Sequence, residues 1–235
     1  MFKETAIITL VSAALVTAAV AAGPVVRENR PIANISEVAL SGNGELFITQ
    51  GDKEELVVEV EQSLLPRIIT EVSGGRLTLR QKNGVFINEE APKVKFYLTV
   101  KHLDHIALAG SGVVRAPGFN ADKLEIASRG SGDVRIDSLE AKELAISISG
   151  SSEVKLGGQA ARQTIKIAGS GKYAAADLKS AMAAVSISGS GDVLLWATDS
   201  LSIAITGSGD VKYYGQPKVS KSVTGSGGIR GLGSK

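Results

Sequence analysis

The sequence contains no cysteine and few aromatic residues, which make up 4% of its 235 residues. Without cysteine, the chain cannot form disulfides, iron–sulfur clusters, cysteine-ligated zinc sites or a thiolate nucleophile. Its 26 basic and 24 acidic residues nearly cancel. This balance argues against a nucleic-acid partner, which would favour a basic surface. The rest of the composition, 43% hydrophobic with 27 glycines, excludes a disordered chain and predicts a folded core.

Long apolar runs are also scarce, and only the N-terminus has one. After Lys3, residues 6–22 carry no charge and end in Ala-Val-Ala-Ala. A basic start, an apolar middle and small final residues are typical of a secretory signal peptide, so we predict cleavage after Ala21 or Ala22. The alternative is a retained anchor, although this run is at the lower limit for a membrane span. The predicted location is the periplasm, the outer surface or the medium, with no membrane span after cleavage.

The glycines are concentrated in a repeat of the tripeptide Gly-Ser-Gly, called here the glycine corner. The copy at Gly150 reads Gly-Ser-Ser, and the spacing between copies is 18 to 20 residues. The first residues of the seven corners are Gly110, Gly130, Gly150, Gly169, Gly189, Gly207 and Gly225. Aliphatic and polar residues alternate on both sides of each corner, which predicts half-buried strands. A glycine corner between two strands predicts a bend with positive φ or close backbone approach.

An antiparallel meander and a coil could both use this repeat, and the near-constant period favours the coil. We therefore predict an all-β, right-handed parallel β-helix, or β-solenoid, with about 18–20 residues per turn. Polar connectors, such as residues 137–142, are expected to link its strands. One turn alone cannot bury enough apolar surface to offset its ordering entropy, so neighbouring turns must stabilise one another.

The region before the repeat alternates in the same way and has its own turn signals, among them Gly42-Asn43-Gly44. We expect this region to continue the solenoid and to close its N-terminal end, while an exposed last turn would favour self-association. The predicted organisation is a signal peptide (1–22), a linker (23–34), an N-terminal β region of the solenoid (35–105), the repeat solenoid (106–230) and a tail (231–235).

Three patterns in the sequence resemble the bacterial head GIN domain family, whose members are described as auto-transporter adhesin heads. They are Leu103-x-x-Ile106-x-x-x-Gly110-Ser111-Gly112, the Ser-Gly-Ser-Gly run at residues 188–191, and Val211-x-Tyr213-x-Gly215-x-Pro217. The resemblance covers nearly the whole chain after the signal peptide. It implies a secreted or envelope domain that is β-solenoid-like. Two departures, Ser152 and the alanine-rich residues 174–176, affect local packing and not the family assignment.

An acidic residue follows several corners and forms a candidate site, with Asp133, Asp192 and Asp210 as its aspartates. Stacked Gly/Asp turns bind calcium in nonapeptide β-rolls, so a calcium ladder is one interpretation. However, Lys172 interrupts this column, and aspartate is a favoured turn residue in any case. We therefore predict no metal site and no cofactor.

Enzymatic sites have weaker support. A carbohydrate-active β-helix would need two carboxylates at a fixed separation, and the short connectors suggest no cleft around the acidic column. The serines of the corners have no basic partner at a constant offset. His102 and His105 are predicted to lie on opposite faces of a strand and at the surface, which argues against a metal pair.

The strongest candidate contact site is an aromatic pair. Trp196 and Tyr214 each lie seven residues after the first glycine of a corner, in consecutive turns. If Val193 and Leu195 point inward, both aromatic side chains point outward and stack on each other. Such a pair suggests glycan stacking or a contact between protomers, whereas an ordinary surface pair covered by a connector is the alternative.

Together these features predict a non-enzymatic, secreted or cell-envelope binding or adhesion module. The expected partners are a second copy of the chain or a surface glycan or protein, and not a nucleic acid. A carbohydrate-active β-helix enzyme and a purely structural envelope protein are the alternatives.

Overall fold

The structure is a computed structural model that describes residues 23–82 and 93–235. The predicted signal peptide lies outside these residues, so its cleavage stays a prediction. Within the described residues, no helix has the length and hydropathy that a membrane span requires. A 3-10 turn, Leu65–Arg67, is the one helical element in this part of the chain.

Nine strands form the N-terminal part of the fold. They are β1 (Val25–Arg30), β2 (Glu37–Gly42), β3 (Glu45–Gln50), β4 (Glu55–Glu61), β5 (Ile68–Ser73), β6 (Arg76–Gln81), β7 (Lys95–Val100), β8 (His105–Gly110) and β9 (Val113–Ala116). Eight strands follow, most of them long. They are β10 (Phe119–Gly130), β11 (Asp133–Gly150), β12 (Glu153–Gly169), β13 (Lys172–Gly189), β14 (Asp192–Gly207), β15 (Asp210–Tyr214), β16 (Lys218–Gly225) and β17 (Ile229–Gly231).

The strands from β8 onward wind into a parallel β-solenoid in which every turn pairs with the next. The first glycine of each corner stands in register with the first glycine of the preceding corner, as Gly130 does with Gly110. The seven first glycines therefore delimit six turns of the coil. The predicted all-β solenoid and its repeat length are confirmed, whereas its right-handed sense stays a prediction.

Each turn has three faces, because the in–out alternation changes phase at three places. In one turn, Asp137 and Ser138 are both exposed, as are Lys142 and Glu143, and the glycine corner supplies the third change. We call residues 133–136 the short face, residues 139–142 the groove face and residues 143–149 the long face, together with their equivalents in other turns. The predicted polar connector is thus a hydrogen-bonded face of the coil, since Leu139 turns inward and is 1% exposed.

The N-terminal end of the coil is closed by a layer of its own, as predicted. β2 and β3 pair in parallel with β8 and β9 on one side and with β6 and β7 on the other. β4 runs antiparallel to β7, and β1 runs antiparallel to β4, so both lie outside the last parallel turn. β5 adds an antiparallel hairpin on β6. No parallel edge is left open at this end among the described strands.

The column of glycine corners starts earlier than the tripeptide. Gly42 stands in register with Gly110, and the Val113 amide donates to the Gly44 carbonyl oxygen at 2.9 Å. Gly42-Asn43-Gly44, which the sequence identified as a turn signal, is therefore an eighth corner of the same coil. It is separated from Gly110 by 65 residues, which include the closing strands β4 to β7.

The two glycines of a corner are required for different reasons. Gly189 has a φ of 126°, and a Cβ there would lie 2.5 Å from the Gly169 carbonyl oxygen of the previous turn. A Cβ on Gly191 would lie 2.6 Å from Cγ2 of Ile167, an inward side chain of the previous turn. The first glycine is thus required by its positive φ and by the close approach of the previous turn's backbone. The last glycine is required because a core side chain of the neighbouring turn occupies the space of a Cβ.

The C-terminal end of the coil has no such cover among the described residues. β16 pairs with β14 on one side only, and all eight of its residues are exposed. Val219 and Val223 are 39% and 41% exposed although their register partners Leu201 and Ile205 lie in the core. Lys221 stands in register with the buried Ile203 and so takes an inward position on this last strand.

Candidate binding groove and aromatic pair

An open groove of about 810 Å³ runs along the groove face, parallel to the axis of the coil. Five consecutive turns contribute to it, because equivalent residues of β10 to β14 lie side by side in register. Its floor consists of small side chains, namely Ala121, Ala141, Ala160 and Ser180. The sequence did not indicate this groove, since three or four residues per turn are too few to reveal an alternation.

One wall of the groove is a column of polar side chains with one member per turn. In order along the axis, the members are Asn120, Glu140, Gln159 and Lys179. All four are exposed, and each can form hydrogen bonds to a ligand. Neighbouring members are separated by the spacing of parallel strands, about 4.8 Å. The wall is therefore a regular array of donors and acceptors.

The charges of the groove are balanced and partly paired. The Lys142 Nζ lies 2.8 Å from the Asp122 Oδ1, and this ion pair holds the pKa of the Asp122 carboxyl below its usual range. Gln159 donates from Nε2 to the Glu140 Oε1 at 2.9 Å. The positive charge of the remaining cation, Lys179, offsets the negative charge of Glu140. The groove thus has no strong net field for either sign of charge.

The predicted aromatic pair lies at the end of the same wall. Trp196 stands in register with Lys179 on one side and with Tyr214 on the other, and both rings are half-buried. The two side chains are neighbours on the outer surface, as expected. Instead of a direct ring stack, the Nζ of Lys235 lies 5.6 Å from both ring centroids. Lys179 covers Trp196 at the same distance, so the tryptophan is in a cation–π setting.

The C-terminal tail holds Lys235 in this place. The Leu232 amide donates to the Tyr213 carbonyl oxygen at 2.8 Å, and the Gly215 amide donates to the Gly233 carbonyl oxygen at 2.9 Å. Lys235 then donates to the Ala176 carbonyl oxygen at 2.6 Å and pairs with the Asp177 carboxylate. This pairing lowers the pKa of Asp177. The tail therefore forms a strap over the aromatic pair.

A buried chain of hydrogen bonds supports Trp196 from below. Tyr173 donates from its hydroxyl to the Gln163 Oε1 at 2.8 Å, and Gln163 donates to the Ser180 Oγ at 2.5 Å. Ser180 in turn donates to the Trp196 carbonyl oxygen at 2.9 Å. All three donors are at most 2% exposed, and burial raises the pKa of Tyr173. Because each polar group has a partner, the chain fixes the backbone at the end of the groove.

Sequence reasoning missed this chain although a signal was present. Gln163 occupies the inward position that Leu144 has in the previous turn, and Tyr173 replaces a column of valines. A glutamine at an aliphatic position of a repeat needs a buried partner. The alanine-rich residues 174–176, identified as a departure from the family pattern, lie directly after Tyr173, and Ala175 is buried.

The acidic residues after the corners stand in one column, as the spacing indicated. Asp133 pairs in register with Glu153, and Asp192 pairs with Asp210. Lys172 separates the two pairs, and its Nζ lies 3.2 Å from Glu153 Oε1. The Asp210 Oδ1 accepts from the Gly228 amide at 2.8 Å, so this carboxylate links two successive turns of the coil. No group of three or more metal-ligating side chains occurs in residues 23–82 and 93–235.

The two histidines have separate surroundings. His102 Nε2 lies 2.6 Å from the Asp104 Oδ1 at the N-terminal end of the groove, and its side chain is 53% exposed. His105 lies in β8, where its Nδ1 is 3.8 Å from the Glu37 Oε2. The two side chains therefore interact with different carboxylates, but the expected placement on opposite faces of one strand is wrong, because His102 precedes β8. The Nε2 of His105 is buried and not at the surface as expected.

Comparison with protein families gives one match. The family model described as "Putative auto-transporter adhesin, head GIN domain" matches residues 34–217, which is most of the chain and includes the groove and the aromatic pair. No curated protein sequence matches the chain.

Solved structures show the same fold over nearly their whole length. A "putative adhesin" from Bacteroides fragilis is 26% identical with a TM-score of 0.83, and the alignment covers 89% of this chain and 97% of that one. A "Putative lipid binding protein" from Parabacteroides distasonis is 25% identical with a TM-score of 0.74 and the same coverage. A "putative adhesin" from Parabacteroides merdae, 20% identical over 89% of this chain and 97% of that one, has a TM-score of 0.72 and shares the fold.

Proposed function

Since the chain belongs to the head GIN domain family, we propose that it is a non-enzymatic binding module of the bacterial surface or envelope. The observation that carries this proposal is the uniformity of the coil, in which six turns of 18 to 20 residues hold their outward side chains in straight columns. Such a surface presents many equivalent contacts to an extended partner and does not change shape to do so. The family description as an adhesin agrees with this role.

A carbohydrate-active enzyme is the alternative, and the acidic column is where its chemistry would occur. Against this alternative, Asp210 is already engaged by the Gly228 amide, and Lys172 separates the acidic pairs. Glycoside hydrolysis needs an acid and a second carboxylate that flank the scissile bond from a cleft. The groove lies on a different face from the acidic column, and the pocket that Asp192 and Asp210 line has a volume of only about 170 Å³.

The test compares binding with turnover in the same samples. The purified protein is applied to immobilised polysaccharides, cell-envelope fractions and host matrix proteins, and the release of reducing sugar is measured in parallel. We expect retention without sugar release, and weaker retention for Trp196→Ala combined with Tyr214→Ala. Sugar release that disappears in Asp192→Asn or Asp210→Asn would establish the enzyme instead. Retention on none of these surfaces would refute the binding function.

Export is part of the proposal, and it rests on the signal-like residues 1–22. Cell fractionation combined with N-terminal sequencing of the mature protein tests it. We expect a mature chain that begins at residue 22 or 23 outside the cytoplasm. An intact N-terminus in the cytoplasmic fraction would contradict export.

A second candidate function, self-association, is favoured by the C-terminal end of the coil. Val219 and Val223 are exposed on β16, an edge strand that is paired on one side only, so the C-terminal ends offer an edge through which two copies can meet. Lys221 lies between the two valines in an inward position and weakens this contact by repulsion.

Light scattering over a range of protein concentrations tests self-association. We expect a weak dimer for the native chain, a tighter dimer for Lys221→Val and a monomer for Val223→Lys. Lys212→Val, on the short face, is the matched control and should leave the dimer unchanged. A native chain and a Lys221→Val variant that both remain monomeric would exclude this contact.

A further inference from the structure

The groove face combines features that specify the chemistry of a ligand. It is open at the surface, about 810 Å³ in volume, and it extends along the axis of the coil across five turns. A compact ligand would fill only part of such a groove. The geometry therefore suits an extended polymer that lies along the axis.

The polar wall adds a repeat distance. Asn120, Glu140, Gln159 and Lys179 present one hydrogen-bonding side chain per turn. Their spacing of about 4.8 Å is close to the length of one sugar ring in an extended polysaccharide. Each sugar unit can therefore meet an equivalent side chain, and its hydroxyl groups can both donate and accept.

The balance of charge narrows the class of polymer. Asp122 is paired with Lys142, and the charges of Glu140 and Lys179, which lie two turns apart with Gln159 between them, offset each other. An anionic chain would need an excess of basic side chains along the groove, which is how proteins attract nucleic acids and other polyanions. A neutral chain meets no repulsion here.

The end of the wall supplies an aromatic surface. Trp196 follows Lys179 in the column, and the buried hydrogen bonds of Tyr173, Gln163 and Ser180 hold its backbone. A fixed aromatic ring in line with hydrogen-bonding groups loses little entropy on binding. Lys235 lies over this half-buried ring, so a sugar ring that packs on the tryptophan displaces the side chain of Lys235.

We infer that the groove face binds a neutral, linear polysaccharide whose chain runs parallel to the axis of the coil, with Trp196 at one end of the site. This inference rests on the proposed binding function and assigns its ligand and surface. The wall residues position the sugars, and the floor of Ala121, Ala141 and Ala160 gives them room to approach the backbone.

A lipid ligand is the competing class, since one structural neighbour carries the description "Putative lipid binding protein". An acyl chain is held best in a deep, enclosed apolar pocket. The groove instead has a shallow alanine floor between polar walls, and the interior of the coil is filled by its aliphatic core.

The chain contains a single tryptophan, so the fluorescence of Trp196 reports directly on the site. The purified protein is titrated with neutral linear polysaccharides (a β-glucan, a xylan and a mannan), with polygalacturonate, and with phosphatidylcholine vesicles. We expect one or more neutral polysaccharides to change the fluorescence of Trp196. We expect polygalacturonate and the vesicles to leave it unchanged. A response to polygalacturonate or vesicles alone would overturn the inference, as would no response to any neutral polysaccharide.

Paired variants locate the site. Gln159→Ala and Lys179→Ala each remove a wall contact, and we expect affinity about tenfold weaker, as for a lost hydrogen bond. Lys166→Ala, an exposed lysine on the long face, is the matched control and should bind normally. Circular dichroism shows that each variant is folded. Equal binding by all three variants would show that the groove is not the polysaccharide site. The proposed binding function would still stand, because retention on surfaces would persist.

Discussion

At the scale of single residues, the last position of each glycine corner depends on a side chain of the previous turn. A Cβ on Gly132 would lie 2.8 Å from Leu108 Cδ2, and one on Gly191 would lie 2.6 Å from Ile167 Cγ2. At the corner that ends in Ser152, the corresponding side chain of the previous turn is Ser128. Ser128 stands in register with Leu108 and Ile148. Ser152 is therefore tolerated because Ser128 is small. Both serines are buried, and their Oγ atoms have no hydrogen-bond partner.

This coupling predicts that Ser128→Ile destabilises the protein and that Ser152→Gly rescues it. The isoleucine alone would collide with the Ser152 side chain, at a cost of about 1–3 kcal/mol in the free energy of unfolding. With glycine at 152, the pair matches the other turns and removes two buried unpaired hydroxyls, so the double variant should be at least as stable as the native chain. Denaturant unfolding of both single variants and the double variant measures the coupling. Additive effects would show that the two positions do not touch.

A second prediction at this scale concerns alkaline pH and Tyr173. Burial raises the pKa of its hydroxyl, so the folded state keeps this proton more tightly than the unfolded state. The stabilisation is complete below the usual tyrosine pKa of 10.0 and is lost as the pH rises above it. Tyr173→Phe should be less stable by about 1–3 kcal/mol at neutral pH, because Gln163 loses a buried partner. It should also lose less stability than the native chain between neutral and alkaline pH.

Unfolding free energies at a series of pH values check this prediction. Tyr97→Phe is the control, because Tyr97 is half-exposed and lies in the N-terminal layer, away from Gln163. An identical pH dependence for Tyr173→Phe and the native chain would contradict the buried role of the hydroxyl.

At the scale of elements, the C-terminal strap is the feature that most affects the candidate site. Lys235 reaches both aromatic rings and the Asp177 carboxylate, which lies 58 positions earlier in the sequence. The lowered pKa of Asp177 means that the contact is intact at neutral pH and is lost as the pH falls through that lowered value. The contact between Lys235 and Asp177 should therefore persist to a lower pH than the usual pKa of an aspartate would allow.

We expect Asp177→Asn to weaken the hold on the Lys235 side chain at neutral pH and to shift the emission of Trp196 toward longer wavelength, because the ring becomes more exposed to water. In the native chain the same shift should appear below the usual pKa of an aspartate. Asp122→Asn, which breaks the Lys142 ion pair far from Trp196, is the matched control and should leave the emission unchanged. An unshifted emission in Asp177→Asn would show that Lys235 does not depend on this carboxylate.

The elements also show which parts of the structure the sequence could predict. Strands next to the glycine corners were predictable, because their alternation is long enough to define an inward side. The groove face was not predictable, because a stretch such as residues 139–142 is too short to show an alternation. Its sequence is typical of a polar connector. Trp196 and Tyr214 were correctly expected side by side on the outer surface. Lys235 was not expected above them, because local patterns do not indicate which distant segment covers a surface.

At the scale of the whole molecule, the coil is a one-dimensional stack with unequal ends. Each turn contacts only its neighbours, so its stability depends on how many neighbours it has. β1 and β4 cover the N-terminal end, whereas β16 and β17 are the outermost strands at the other. The family resemblance and the repeat predicted this stack. They did not predict that Gly42-Asn43-Gly44 belongs to it, because a long insertion before Gly110 interrupts the regular spacing of the corners.

Unequal ends predict a gradient of local unfolding. Backbone amides of β16 and β17 should exchange with solvent fastest, those of β14 and β15 more slowly, and those of β11 to β13 slowest. Hydrogen exchange measured by mass spectrometry on peptides from each turn tests this order. A uniform exchange rate along β11 to β17 would show instead that the turns unfold as one cooperative unit.

The order of strands in the N-terminal layer bears on how the chain reaches this structure. The turn formed by β2 and β3 is made first, but its outer neighbours β6 and β7 follow it in the chain before β8 and β9 arrive on its other side. All described strands of the closing layer thus precede the Gly-Ser-Gly corners in the chain. Once this layer has formed, each new turn finds a finished template, and the coil can grow in a single direction from its N-terminal end.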